Sequence, residues 1–125
     1  MKLSRHVLSI VLVFCFSASL IVTRDEEARI SSSAQAHIKQ RHWYYAKSGQ
    51  KTSHFNRSMT MKKLDAIATK TIRQGSVRPS KHGQGRYTYQ YKFRIPIGRN
   101  TQGKKSYKLR VVTDSKKNII TAFPI

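Results

Sequence analysis

The order in which hydrophobic periods occur along this 125-residue chain predicts an α+β fold, with N-terminal helices packed on one face of an antiparallel sheet. Three observations carry that expectation. The stretch TMKKLDAIATKTIRQ, residues 60–74, sets Met61, Leu64, Ile67, Ala68 and Ile72 on one side of a helix. The stretch RYTYQYKFRI, residues 86–95, alternates without error, with Tyr87, Tyr89, Tyr91, Phe93 and Ile95 facing one way and Arg86, Thr88, Gln90, Lys92 and Arg94 the other. SYKLRVVT, residues 106–113, repeats the alternation, and IITAFPI, residues 119–125, supplies a last strand.

Taken in chain order, the first element is a targeting segment. Residues 7–22, VLSIVLVFCFSASLIV, carry no charge and follow Lys2 and Arg5, the pattern of a signal peptide, or of a membrane anchor where it is retained. Cleavage after Ser19 would put Ser17 and Ser19 at the small-residue positions, and the product would be secreted or periplasmic. The single cysteine, Cys15, lies inside this segment, so a cleaved product has neither thiol nor disulfide. Residues 23–36, TRDEEARISSSAQA, hold three of the five acids and a Ser/Ala run, and read as a linker or a frayed lead-in to the next helix. The module proper is expected at 37–125.

Within it, residues 37–46 suit a helix capped by Ser32 or Ser33, with His37 and Arg41 on one face and Ile38, His42 and Tyr45 on the next. KSGQKTSHF breaks that helix at Gly49. Thr60 caps the helix of residues 60–74 and Gly75 ends it. GSVRPSKHGQG then reads as a loop, PIGRNTQGKK turns the chain, and DSKKN is a hairpin turn. The two helices cover one sheet face, and the other is expected to carry Arg86, Lys92, Arg94, Lys108 and Arg110.

The charge balance speaks to partners. The chain has 25 Lys and Arg against 5 acids, a formal +20. Setting aside Lys2, Arg5, Arg24 and Arg29 leaves 21 cations in residues 37–125 against Asp65 and Asp114 alone, a formal +19. A field this positive concentrates polyanions. The scarcity of carboxylates also excludes classes of chemistry. Two acids do not build the cage that a two-metal nuclease needs. His37 and His42 stand five apart, not the four that sets two zinc ligands on one helix face. No nucleophile elbow supports a Ser-His-Asp triad. No metal or other cofactor is therefore expected.

What remains is chemistry by His, Lys, Arg, Ser, Thr and Tyr. RNA is the substrate for which those suffice, because its own 2′-OH is the nucleophile. The protein must supply a base for that proton, an acid for the leaving 5′-oxygen and cations for the phosphorane. His37, His42 and His54 are the candidate acids and bases, and Lys39 and Arg41 the candidate phosphate partners.

The order HIKQRH, TSHF, a helix, IPIG and then RVVTDSKKNIITAFPI resembles the C-terminal nuclease modules of bacterial polymorphic and contact-dependent toxins. These belong to the barnase–EndoU–colicin–RelE-like superfamily, and the likeness is to its EndoU-like and RNase A-like branches. The resemblance covers residues 37–125. It implies helices on a curved antiparallel sheet and metal-independent RNA cleavage. The helix histidine and basic residue of the family then correspond to His37 or His42 and Arg41, the Ser/Thr before the aromatic to Thr52 or Ser53, and the terminal-strand Thr to Thr121. Several relatives have Tyr two residues after that Thr, where this chain has Phe123.

The expected function is a toxin endoribonuclease acting on tRNA or rRNA in a target cell's cytosol. The catalytic set is His42, His37, Arg41, Ser53 and Thr121, and the RNA-binding set Lys39, Thr52, His54, Arg86, Lys92, Arg94 and Arg110. Such a toxin implies an acidic immunity protein that covers the cationic face. Membrane contact is expected only through residues 7–22, where they are retained. The contrasting reading is a secreted cationic protein that binds nucleic acid or anionic membrane by charge, without catalysis.

Overall fold

The structure, a computed structural model, describes residues 30–46, 52–81 and 83–125. The elements in order are α1 (Ser32–His42), β1 (His54–Phe55), α2 (Met61–Gln74), β2 (Ser76–Pro79), β3 (Tyr87–Lys92), β4 (Gly98–Arg99), β5 (Lys105–Ser106), β6 (Lys108–Thr113) and β7 (Ile119–Pro124). The fold is α+β, with two helices and two antiparallel sheets among the described residues. The apolar segment 7–22, residues 23–29 of the expected linker, and the loop break at Gly49 lie outside them. Among the described residues, no helix is long and apolar enough to cross a membrane.

Helix α1 begins earlier than its charge pattern suggested. Ser31, not Ser32 or Ser33, is the N-cap, and its Oγ accepts from the Ala34 amide at 3.3 Å. Residues 32–36 are helix rather than linker, and Ile30 and Ala34 belong to the hydrophobic core. The folded unit thus starts before His37. The Ser/Ala run looked like a spacer because only small residues stand where the helix meets its neighbours. The helix also stops at His42 rather than 46. Trp43 turns extended and buries its ring edge-on against Phe55, centroids 5.8 Å apart. Lys39, Arg41 and His42 fill the last turn, where the helix dipole favours cations.

Helix α2 follows its periodicity. Thr60 Oγ1 accepts from the Lys63 amide at 3.2 Å, and the Gly75 N–H closes the last turn on the Thr71 carbonyl. Leu64 and Ala68 are wholly buried, and Met61, Ile67 and Ile72 pack against the same core. Burying a side chain such as Leu64 contributes roughly 1.5–3 kcal/mol. Gly75 is required by space: a Cβ there would collide with the carbonyls of Thr71 and Gln90.

The main sheet runs β2-β3-β6-β7, all antiparallel, with Arg78 opposite Thr88, Gln90 opposite Arg110, Val112 opposite Thr121 and Arg110 opposite Phe123. Cross-strand partners share a face. One face therefore presents Tyr89, Leu109, Val111 and Ala122 to the core beneath α2. The other presents Arg78, Thr88, Gln90, Lys92, Lys108, Arg110, Thr121 and Phe123. A register shift at Val112/Thr113 marks a bulge in the β6–β7 pairing. The Asp114 carboxylate closes the turn that follows, accepting from the amides of Lys116 and Asn118 and from Asn118 Nδ2. Its pKa is lowered chiefly by the Asn118 side chain.

Three expectations need correction. SVRP is strand β2, not loop; it sits on the sheet edge with every residue exposed, so no buried period betrays it. PIGRNTQGKK is more than a turn, since it holds β4 and the start of β5, and β4 pairs with β1 on one side and with β5 on the other in a small second sheet. The aromatic face of residues 87–95 is core only in the middle. Tyr89 is buried, Tyr91 and Phe93 half-buried, Tyr87 is exposed, and Ile95 lies beyond the strand at 72 % exposure.

Candidate active site

The buried stripe of α1 is Ala34, Ile38, His42, so the helix ends by placing an imidazole where its period would have placed an apolar side chain. Helix α1 packs against β7 and β1. Those two neighbours hold His42 from two sides. From the segment entering β1, the Ser53 carbonyl accepts a hydrogen bond from His42 Nδ1 at 2.9 Å, and Ser53 Oγ lies 3.5 Å from the same nitrogen. From β7, the Phe123 ring stacks on the imidazole, centroids 4.9 Å apart and planes 18° from parallel. With Nδ1 committed as donor, Nε2 is the ring atom available to gain or lose a proton. Burial lowers the His42 pKa; the Ser53 carbonyl opposes this, and the charges of His37, Arg41 and His54 add to it. The ring is thus a neutral base over a wider pH range than free imidazole.

Phe123 joins His42 to the cationic sheet face. The Arg110 guanidinium sits over the Phe123 ring at 5.8 Å. With the Gln90 amide turned to satisfy both groups, its oxygen accepts from Arg110 Nη2 at 2.8 Å and Nε at 3.1 Å. Arg110 and Phe123 line a cavity of about 460 Å³ with Arg78, Lys81, Thr88 and Gln90. No acid is among its lining residues. Thr121 stands two residues from Phe123 on the same strand face, about 7 Å along it. Its Oγ1 is buried with no hydrogen-bond partner. An unsatisfied buried hydroxyl costs about 1–3 kcal/mol.

The other candidates fall into two groups. His37 meets His42 edge-on at 6.3 Å and is exposed, as are Arg41 and Lys39 on the outer face of α1. Ser53 is buried at 3 % exposure, and its main contribution is the carbonyl that orients His42. Thr52 and His54, on either side of it, line a different cavity, and the Ala46 carbonyl accepts from His54 Nε2 at 3.1 Å. Arg86 and Arg94 are exposed just outside the two ends of β3, and Lys92 pairs with Lys108 at its far end. The structure therefore brings His42 and Arg110 to the Phe123 ring, Ser53 and His37 to His42, and sets Thr121 two residues from Phe123 on the same strand face. Arg86, Lys92 and Arg94 stay on the periphery.

Three contributors escaped the sequence reading. Arg78 was hidden because β2 has no buried face. Gln90 was legible only as a spacer between tyrosines. Phe123 was seen as a missing hydroxyl, whereas its ring carries both the His42 and the Arg110 contacts. Asp65 lies on α2 and Asp114 in a turn, and among the described residues no group of three ligating side chains could hold a metal ion. Compared with known proteins, the chain matches no family model, no curated protein and no solved structure.

Proposed function

We propose that the module is a metal-independent endoribonuclease that cleaves RNA by attack of the 2′-OH on the adjacent phosphate. The observation that carries this reading is the His42 clamp: Nδ1 tied to a backbone carbonyl, the ring stacked on Phe123, and Arg110 over that same phenyl ring. His42 Nε2 takes the 2′-OH proton. The 2′-oxygen bonds to phosphorus, the P–O5′ bond breaks, and the leaving oxygen takes a proton from an acid, for which the His37 imidazole stands edge-on to His42. Arg110 and Arg41 balance the charge that builds on the phosphorane, and Thr121 Oγ1 donates to one of its oxygens. The products are a 2′,3′-cyclic phosphate and a 5′-OH.

The wider reading follows the resemblance. The two sheets and two helices form a curved, barnase/EndoU-like module, exported through residues 1–22, that poisons the cytosol of a target cell and is neutralised at home by an acidic immunity protein. The high positive charge supports the polyanion substrate and equally suits a non-catalytic binder. The experiment that separates these is incubation of the purified protein with total tRNA and rRNA in excess EDTA. Discrete fragments ending in 2′,3′-cyclic phosphate are expected. Activity that returns only with added Mg²⁺ or Zn²⁺ overturns the mechanism, and intact RNA that is bound but never cut leaves the cationic binder.

A further inference from the structure

Beside the entry to β1 lies a second cavity, of about 530 Å³, lined by Tyr44, Thr52, His54, Arg57, Arg99 and Asn100. Its aromatic wall is Tyr44, 43 % exposed, with Tyr45 packed against it at 5.1 Å and itself 56 % exposed. The two adjacent tyrosines present an exposed aromatic surface at the cavity's edge. The Arg57 guanidinium lies over the Tyr44 ring at 5.5 Å. The opposite wall is firmly built. Arg99 Nη1 donates to the Gly103 carbonyl at 2.8 Å, and Asn100 Oδ1 accepts from the amides of Gln102 and Lys104 at 3.0 Å each. No acid lines the cavity. Two of its three chain segments adjoin the His42 clamp: Tyr44 follows His42 by two residues, and Thr52 and His54 flank Ser53.

We infer that this cavity is a subsite for one nucleotide of single-stranded RNA outside the scissile dinucleotide, its base stacked against the Tyr44–Arg57 pair and its phosphate met by Arg57 and Arg99. The inference rests on the ribonuclease reading for its link to cleavage, but not for its chemistry. Stacking on an aromatic or guanidinium plane with cations at the backbone is how unpaired bases are held, and it tolerates any sequence. A double helix hides the base faces that such a wall recognises, so the substrate favoured is a loop or a single strand.

The test compares a dinucleoside monophosphate with a mixed-sequence hexaribonucleotide as cleavage substrates, and measures separately the binding of a 2′-deoxy hexanucleotide that cannot react. Tyr44→Ala should lower kcat/KM for the hexamer and its affinity for the deoxy hexamer by roughly 5- to 150-fold, the range expected for one stacked base, through KM rather than kcat. The dinucleotide should be cut at the parent rate. Tyr44→Phe, which keeps the ring, should behave as the parent, and Arg57→Ala should reproduce part of the loss. Equal losses on dinucleotide and hexamer, or none on either, overturn the subsite; no loss in deoxy-hexamer affinity turns the face over to a protein partner. A parent that binds the deoxy hexamer through Tyr44 yet cuts neither substrate overturns the ribonuclease reading alone.

Discussion

The two helices each end their buried stripe on a polar residue, and the difference between those residues separates scaffold from site. In α2 the stripe is Leu64, Ala68, Thr71, and Thr71 Oγ1 donates to the Ile67 carbonyl of its own helix at 2.8 Å. That hydroxyl asks nothing of the rest of the molecule. In α1 the stripe is Ala34, Ile38, His42, and His42 is satisfied by Ser53, eleven residues on and outside the helix. A buried polar group satisfied locally stabilises an element; one satisfied at a distance fixes two elements relative to each other and holds its own ring in one orientation. Only the second arrangement leaves a titratable atom aimed and available.

The sharpest way to break this comparison is to change both residues. His42→Gln keeps an amide able to donate to the Ser53 carbonyl but removes the base, and RNA cleavage should fall by roughly 10²–10⁴-fold. Thr71→Val keeps shape and removes only a self-satisfied hydroxyl, and cleavage should stay within about twofold. Initial rates on a fluorescent oligoribonucleotide, with thermal midpoints alongside, give the answer. Parent-like cutting by a folded His42→Gln protein would remove His42 from the chemistry.

The same contrast explains how much the sequence disclosed. Helix α2 and strands β3 and β6 were legible because their apolar residues recur at the element's own period, most completely in β6, where Leu109, Val111 and Thr113 are buried in alternation. Strand β2 buries nothing, and β1, β4 and β5 are two residues long, too short to show a period at all. Helix α1 was half-read because its buried face is Ala, Ile and His, which carries little hydrophobic signal, and because Ile30 and Ala34 sit in a stretch that resembles a spacer. His42 could be named by residue type and position. Its partners could not: the Ser53 carbonyl has no side-chain signature, and the contact with Phe123 depends on β7 lying beside α1, a tertiary fact. Ser53 stands out in the sequence only as a Ser before an aromatic, and in the structure its shorter contact with His42 is through its backbone carbonyl.

Thr121 offers a smaller effect with an opposed pair of signs. Its Oγ1 is buried without a partner, so Thr121→Val should remove an unmet hydrogen-bonding group and raise the free energy of unfolding by up to about 1 kcal/mol. If that hydroxyl donates to the phosphorane, the same change should slow cleavage roughly 10²-fold, as losing one oxyanion donor does. Urea unfolding and single-turnover cleavage on one preparation read both. A variant that is less stable and equally active would make Thr121 a packing residue.

The smallest expected effect is the pH dependence of stability. Burial lowers the His42 pKa below the value of 6.5 it would have in the unfolded chain, with the Ser53 carbonyl offsetting part of that push. Between the lowered folded value and 6.5 the unfolded chain therefore binds more protons than the folded one, so stability rises with pH across that window. The contribution is fully present above pH 6.5 and is lost as pH falls through the folded value. Urea midpoints measured from pH 5 to pH 8 should show this slope in the parent and a flatter one in His42→Gln. The acid limb of kcat/KM must then follow the same group. Because Nε2 acts as base only when neutral, the half-maximal point should lie below 6.5, and its appearance above 6.5 would assign the general base to a different residue while leaving the clamp as a structural tie between α1 and the entry to β1.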